Sequence, residues 1–182
     1  MSDWGRNTPP EASSGVFVTS ASMKTDASPE KVWSTLLDFQ SYKEWNPFVR
    51  GQVLTDASGK PLPESSQTPA AGKHLYMYPV HIPPRMDDPP LPFQKNSTRV
   101  VITYLDHETR RVAWRTTGFP RFLLDAERWQ TVSVAEDGKT KYESYEVFRG
   151  LLSYIVKFFM KKNLDLAAQG MADGLKARAE AS

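Results

Sequence analysis

The sequence predicts an α+β fold: a curved seven-stranded antiparallel sheet wrapped on a long C-terminal helix, with two short helices after strand 1, enclosing a cavity. Three observations carry this reading. Strand-like segments and turn signals fill the middle of the chain, while helical patterns stand only near its start and at its end. The closing segment, Leu151 to Ala179, reads as one helix long enough to lie across such a sheet. Aromatic residues make up 12% of the 182 residues (five Trp, seven Tyr, nine Phe). That exceeds what filling a core of this size requires, and a sheet wrapped on one helix leaves a hollow for such side chains to line.

Residues 1–14 are polar, with Pro9-Pro10 and Ser13-Ser14, and read as a flexible N-terminal arm ahead of a single domain over 15–182. Val16 to Lys24 is the first strand. Ser28-Pro29-Glu30-Lys31 makes a helix start, with Ser28 as N-cap and Pro29 at the first helical position. Val32, Trp33, Leu36 and Leu37 then fall on one face. A second helical turn covers Ser41 to Trp45 and is stopped by Pro47. Val49 to Thr55 is a short strand, 57–72 a loop rich in Pro, Gly and Ser, and Lys73 to Tyr78 a strand ended by Pro79. The stretch 79–96 holds six prolines (79, 83, 84, 89, 90, 92) and reads as a long lid-like loop. Thr98–Leu105 and Arg110–Thr117 flank the turn Asp106-His107-Glu108-Thr109. Glu127–Ala135 and Thr140–Phe148 flank Glu136-Asp137-Gly138-Lys139, with Gly138 where positive φ is wanted. On the terminal helix, Leu152, Ile155, Phe159 and Leu166 form an apolar stripe. Gly170 and Gly174, one turn apart, each cost about 1 kcal/mol in a helix. They point to close approach of the sheet, or of a second subunit in a homodimer.

Composition narrows the function classes. A formal charge of +2 is too small to announce a nucleic-acid surface. With no Cys there is no disulfide, thiolate nucleophile or Cys-ligated metal, and three dispersed His lack zinc spacing. There is no Gly-rich nucleotide fingerprint, no P-loop and no Gly-x-Ser-x-Gly elbow. The N-terminus has no apolar signal region, and the most apolar run, Leu151 to Met160, is too short to span a bilayer. A cytoplasmic protein with no membrane insertion is expected.

At Val32-Trp33, Leu37-Asp38-Phe39, Tyr42 and Trp45-Asn46-Pro47-Phe48 the chain resembles the SRPBCC or START-like superfamily with the Bet v 1 helix-grip fold. More narrowly, it resembles the polyketide cyclase/dehydrase branch. Arg111-Val112-Ala113-Trp114-Arg115, Gly138-Lys139-Thr140 leading to Glu146-Val147-Phe148-Arg149-Gly150, and the closing Gly174 to Glu180 continue the likeness, which covers roughly residues 16–180. The resemblance implies a hydrophobic small-molecule ligand and no cofactor, but no universal catalytic set.

Candidate site residues follow from strand alternation and chemistry. On the last strand Tyr142, Ser144, Glu146 and Phe148 share the face with less charge and should point inward. A buried Glu146 is either an acid/base or half of an ion pair. Arg128 is its partner if the hairpin loop has three residues; with two, Trp129 takes that place. His74, Tyr76 and Tyr78 form a row that, inward, can deprotonate an acidic methylene and hold an oxyanion. Outward, the row is surface, and Leu75 and Met77 do the lining. His81, on the Pro-rich loop, and His107, in a charged turn, are expected at the surface. Trp114 should face the cavity and Arg115 water. Trp45 either stacks on a ligand or plugs the fold; Asn46 either holds a carbonyl or caps the helix. Tyr154 and Phe158 lie along one edge of the long helix and are counted as wall residues with Phe148.

The expected function is cyclisation of a polyketide or similar oxygenated chain, by aldol or lactone closure, through orientation and general acid/base catalysis. The rival expectation is a non-catalytic carrier or sensor.

Overall fold

The computed structural model describes residues 6–88, 91 and 95–181. In chain order they form β1 (Phe17–Thr25), α1 (Pro29–Leu37), α2 (Tyr42–Trp45), β2 (Gln52–Thr55), β3 (His74–His81), β4 (Lys95–Asp106), β5 (Arg111–Thr116), β6 (Asp125–Val134), β7 (Thr140–Arg149) and α3 (Leu152–Glu180). The seven strands make one antiparallel sheet in the order β1-β7-β6-β5-β4-β3-β2. α3 packs chiefly on β1. The α+β helix-grip architecture is the one the sequence predicts.

Local chemistry explains most boundaries. The Ser28 side chain accepts from the Lys31 amide, and Pro29 begins α1 without a wasted donor. In the β6–β7 hairpin the Ala135 amide donates to the Lys139 carbonyl and Gly138 takes φ 78°, which leaves a three-residue loop. That loop sets Arg128 opposite Glu146. The register left open by the sequence is therefore the one that pairs the two charges.

Four expectations need correction. β3 does not end at Pro79 but runs on to His81, because its register against β4 shifts between Met77 and Val80. Proline, lacking an N–H, fits where the ladder is interrupted. His81 is not at the surface: it is 1% exposed, and its Nδ1 donates to the Arg85 carbonyl at 2.9 Å. The chain beyond His81 folds back over it, which the proline count alone did not reveal. Of the prolines in that stretch, 89, 90 and 92 lie outside the described residues.

The stripe Leu152, Ile155, Phe159 and Leu166 does not face the core: Ile155, Phe159 and Leu166 are exposed and Leu152 is half-buried. The buried face carries Ser153, Leu164, Ala167, Ala168, Met171, Ala172, Leu175 and Ala179. Its small residues let the helix settle close to the sheet. The first turns of α3 are apolar on both sides, so periodicity alone cannot choose between them. The close approach at the helical glycines comes neither from the sheet nor from another subunit. A Cβ on Gly174 would meet the Trp45 carbonyl, and one on Gly170 would lie 3.2 Å from Pro47 Cγ. The end of α2 therefore meets α3 at Gly174, and the proline turn after it at Gly170.

Candidate functional site

A cavity of about 250 Å³ lies between the inner face of the sheet and α3. Strand alternation selects its walls. From β3 come Met77 and Val80, from β5 Trp114, from β7 Phe148, and from α3 Val156, Met160, Leu164 and Met171. The stretch after α2 adds Phe48, and β4 adds Asn96, Ser97 and Thr98. Phe148 is held flat against Phe17, ring centroids 4.3 Å apart, which fixes that wall.

Besides Asn96, Ser97 and Thr98, polar side chains enter this mostly apolar chamber at Arg128, Glu146, Tyr42, Gln52 and Thr116. Arg128 is 4% exposed, and its Nη2 and Nε donate to the same Glu146 oxygen, Oε2, at 2.7 and 3.1 Å. Oε1 stays outside the pair. The guanidinium also lies 5.1 Å from the centre of the Phe48 ring. Tyr42 is fully buried and donates its hydroxyl to the Leu36 carbonyl at 2.6 Å, tying α2 to the end of α1. Burial raises its pKa above the usual phenol range. Beside the pair, Tyr142 donates to Gln130 Oε1 at 2.6 Å, and burial pushes it up to about 12 against the pull of nearby Arg128. The buried Gln52 amide, from β2, lies beside the Tyr42 hydroxyl and works against the rise in the Tyr42 pKa.

The structure gathers some sequence candidates here and disperses others. Arg128, Glu146, Trp114 and Phe148 line the chamber. His74, Tyr76 and Tyr78 face the other way, since β3 turns Leu75 and Met77 inward at 1% and 3% exposure. Tyr76 and Tyr78 stack on the outer face 6.2 Å apart, with the Arg99 guanidinium 5.9 Å from the Tyr76 ring. Trp129 is also on the outer face: its indole donates to Glu127 at 2.9 Å and its ring lies 5.3 Å from Tyr104. Tyr154 and Phe158 are 64% and 83% exposed, on the side of α3 turned from the cavity. Trp45 is a buried plug, 4.7 Å from Tyr42, and Asn46 is a cap whose Oδ1 accepts from the Phe48 and Val49 amides. His107 is exposed as expected and accepts the Trp33 indole proton at 3.1 Å.

Sequence reasoning missed Tyr42, Gln52 and Phe48 as lining residues. Tyr42 and Phe48 stand within the Tyr-x₂-Trp-Asn-Pro-Phe run, where attention went to Trp45 and Asn46. Gln52 could have been found as a lone amide among Val49, Val53 and Leu54 in a short strand. Among the described residues, no group of three or more His, Cys, Asp or Glu side chains is placed to hold a metal. Among the same residues, no helix is long and apolar enough to cross a membrane.

The comparisons agree with this geometry. A protein 29% identical over 192 residues, covering 94% of this chain and 90% of its own, is an oxopyrrolidines biosynthesis cluster protein O from Penicillium oxalicum. A START superfamily protein from Mycobacterium smegmatis shares the fold at TM-score 0.60 and 17% identity, over 90% of this chain and 97% of that one. The Zhui aromatase/cyclase from a Streptomyces species does so at TM-score 0.65 and 11% identity, over 90% and 93%. The family model described as polyketide cyclase/dehydrase and lipid transport matches residues 17–180, the whole sheet and all of α3, and the chain belongs to that family.

Proposed function

We propose that this protein holds a hydrophobic, oxygen-rich chain in the cavity and closes a ring on it. The observation that carries the reading is a charged pair, Arg128 and Glu146, set into a chamber walled largely by apolar side chains such as Trp114, Phe48, Phe148 and the methionines. The biosynthesis-cluster relative supports a role in secondary metabolism, and its name points to an oxopyrrolidine product class.

In this reading Glu146 Oε1 takes a proton from a methylene between two carbonyls. The Arg128 guanidinium stabilises the enolate oxygen through charge. The enolate carbon attacks a second carbonyl of the same chain, and the proton held on Glu146 passes to the new alkoxide. Atoms and electrons balance without an oxidant. Much of the acceleration comes from holding the two ends together, where effective molarities are large. His74, Tyr76 and Tyr78 have no part, being on the other side of the sheet.

A second reading rests on the same pair. Arg128 and Glu146 satisfy each other, as in a structural ion pair, so a carrier needs nothing further from them. The test uses a diketo thioester surrogate, with product formation followed by mass spectrometry and binding followed separately. Cyclisation above the buffer rate that falls about 10²–10⁴-fold in Glu146→Gln, with binding retained, supports the enzyme. Binding with no acceleration by the wild type supports the carrier.

A further inference from the structure

We propose that the first half of α3, with the loop before it, is a docking surface for an anionic lipid bilayer. Leu151, Tyr154, Ile155, Phe158 and Phe159 share one side of the helix and are 64%, 64%, 56%, 83% and 72% exposed. Phe122, 67% exposed, stands beside them, because the Leu151 amide donates to its carbonyl. A soluble monomer rarely leaves so many large apolar side chains together in water. The opposite side of the same turns packs inward at Ser153, Val156, Met160 and Leu164, so these are not core residues out of place.

Charge selects the occupant. From Val147 to Leu164 the chain has no Asp or Glu, and Lys157 and Lys162 are exposed among the aromatics. Lys161, on the same side, pairs with Asp165 at 2.6 Å. A second copy seated two-fold on this face would bring the lysines of both copies together with little acid to answer them. Aromatic and aliphatic side chains flanked by lysines instead match a helix lying in the plane of a negatively charged lipid surface. The segment from Leu151 to Leu166 is about 24 Å long at helical rise, enough to rest in the headgroup layer without spanning. The shortness that excludes a transmembrane segment therefore does not exclude an interfacial one. Half-buried Leu124, Val156 and Met160 line the cavity and adjoin this face, so a guest leaving the bilayer meets the chamber next. The inference does not depend on any ring closure.

The test is co-sedimentation of the full chain with phosphatidylcholine vesicles, with and without phosphatidylserine. Binding should be ~10-fold or more tighter with phosphatidylserine and should weaken as salt is raised. Phe158→Ser/Phe159→Ser should cut it by on the order of 100-fold with an unchanged melting temperature. Lys157→Glu/Lys162→Glu, which leaves the aromatics in place, should abolish the preference for phosphatidylserine. No binding to anionic vesicles, or binding untouched by both double variants, overturns the proposal. So does a dimer in solution that the two Ser substitutions dissociate, or polyglutamate captured by this face when vesicles are not.

Discussion

β6 and β7 carry two arginine–carboxylate systems on opposite faces, and the two are built differently. On the outer face Asp125 pairs with Arg115 and, at 3.4 Å, with Arg149, which also reaches Glu127 at 3.3 Å; Glu127 in turn accepts from the Trp129 indole. On the inner face Arg128 meets Glu146 beside a cavity, and one carboxylate oxygen is left out. The outer system is redundant, each buried acid holding more than one donor. The inner one is a single pair with room in front of it. What sets the inner pair apart is neither its charge nor its burial but its place on the cavity wall.

The largest effect separates the faces by rate. Glu146→Gln keeps the side-chain shape and an acceptor for Arg128, so product formation should fall about 10²–10⁴-fold with a smaller loss of stability than truncation of a paired acid brings. Asp125→Ala should do the reverse. It removes the carboxylate that Arg115 and Arg149 share and should cost about 3 kcal/mol of stability in a denaturant titration, with unchanged affinity for a cavity ligand.

Titration sharpens the contrast. Burial raises the Asp125 pKa, but the hydrogen bonds and charge of Arg115, with Arg149 behind it, outweigh burial and hold it below the ordinary value. With a depressed folded pKa, its contribution is complete above the unfolded value of about 3.9 and is lost as pH falls through the folded one. Stability measured below pH about 4 should therefore decline more steeply in wild type than in Asp125→Ala. At the alkaline end the sign inverts for Tyr142, raised to about 12. Stability is complete below the unfolded value of about 10 and drops as pH rises toward the folded one, and Tyr142→Phe should flatten that fall. The smallest effects belong to candidates the fold turns away from the chamber. Tyr76→Phe and Tyr154→Phe should each change stability by less than about 0.5 kcal/mol and leave probe affinity unchanged.

The fold was legible because its signals are local. Ser28-Pro29 starts α1, Gly138 makes the three-residue hairpin, and alternation on β7 sends Glu146 and Phe148 inward. The inward side of β3 was open in the sequence because His74, Tyr76 and Tyr78 alternate with Leu75 and Met77, and both rows can be buried. What decided it was pairing with neighbours far along the chain. α3 misled for a related reason: in its first half large apolar residues lie on the exposed side, while four alanines, Ala167, Ala168, Ala172 and Ala179, lie on the buried one. Size suggested the core, but close approach selected it. Tyr42 and Gln52 stayed hidden because their role depends on α2 and β2 converging on the cavity, which no local pattern encodes.

The central claim is that the chamber between the sheet and α3 is where a guest binds. Intermolecular nuclear Overhauser contacts from a 4-hydroxy-2-pyrone bearing a short alkyl chain measure this directly. The account predicts contacts to the Trp114 indole and the Phe148 ring, together with a shifted Arg128 Nε–H resonance. Contacts confined to Tyr76 and Tyr78 on the outer face, or no binding at millimolar probe, would contradict it.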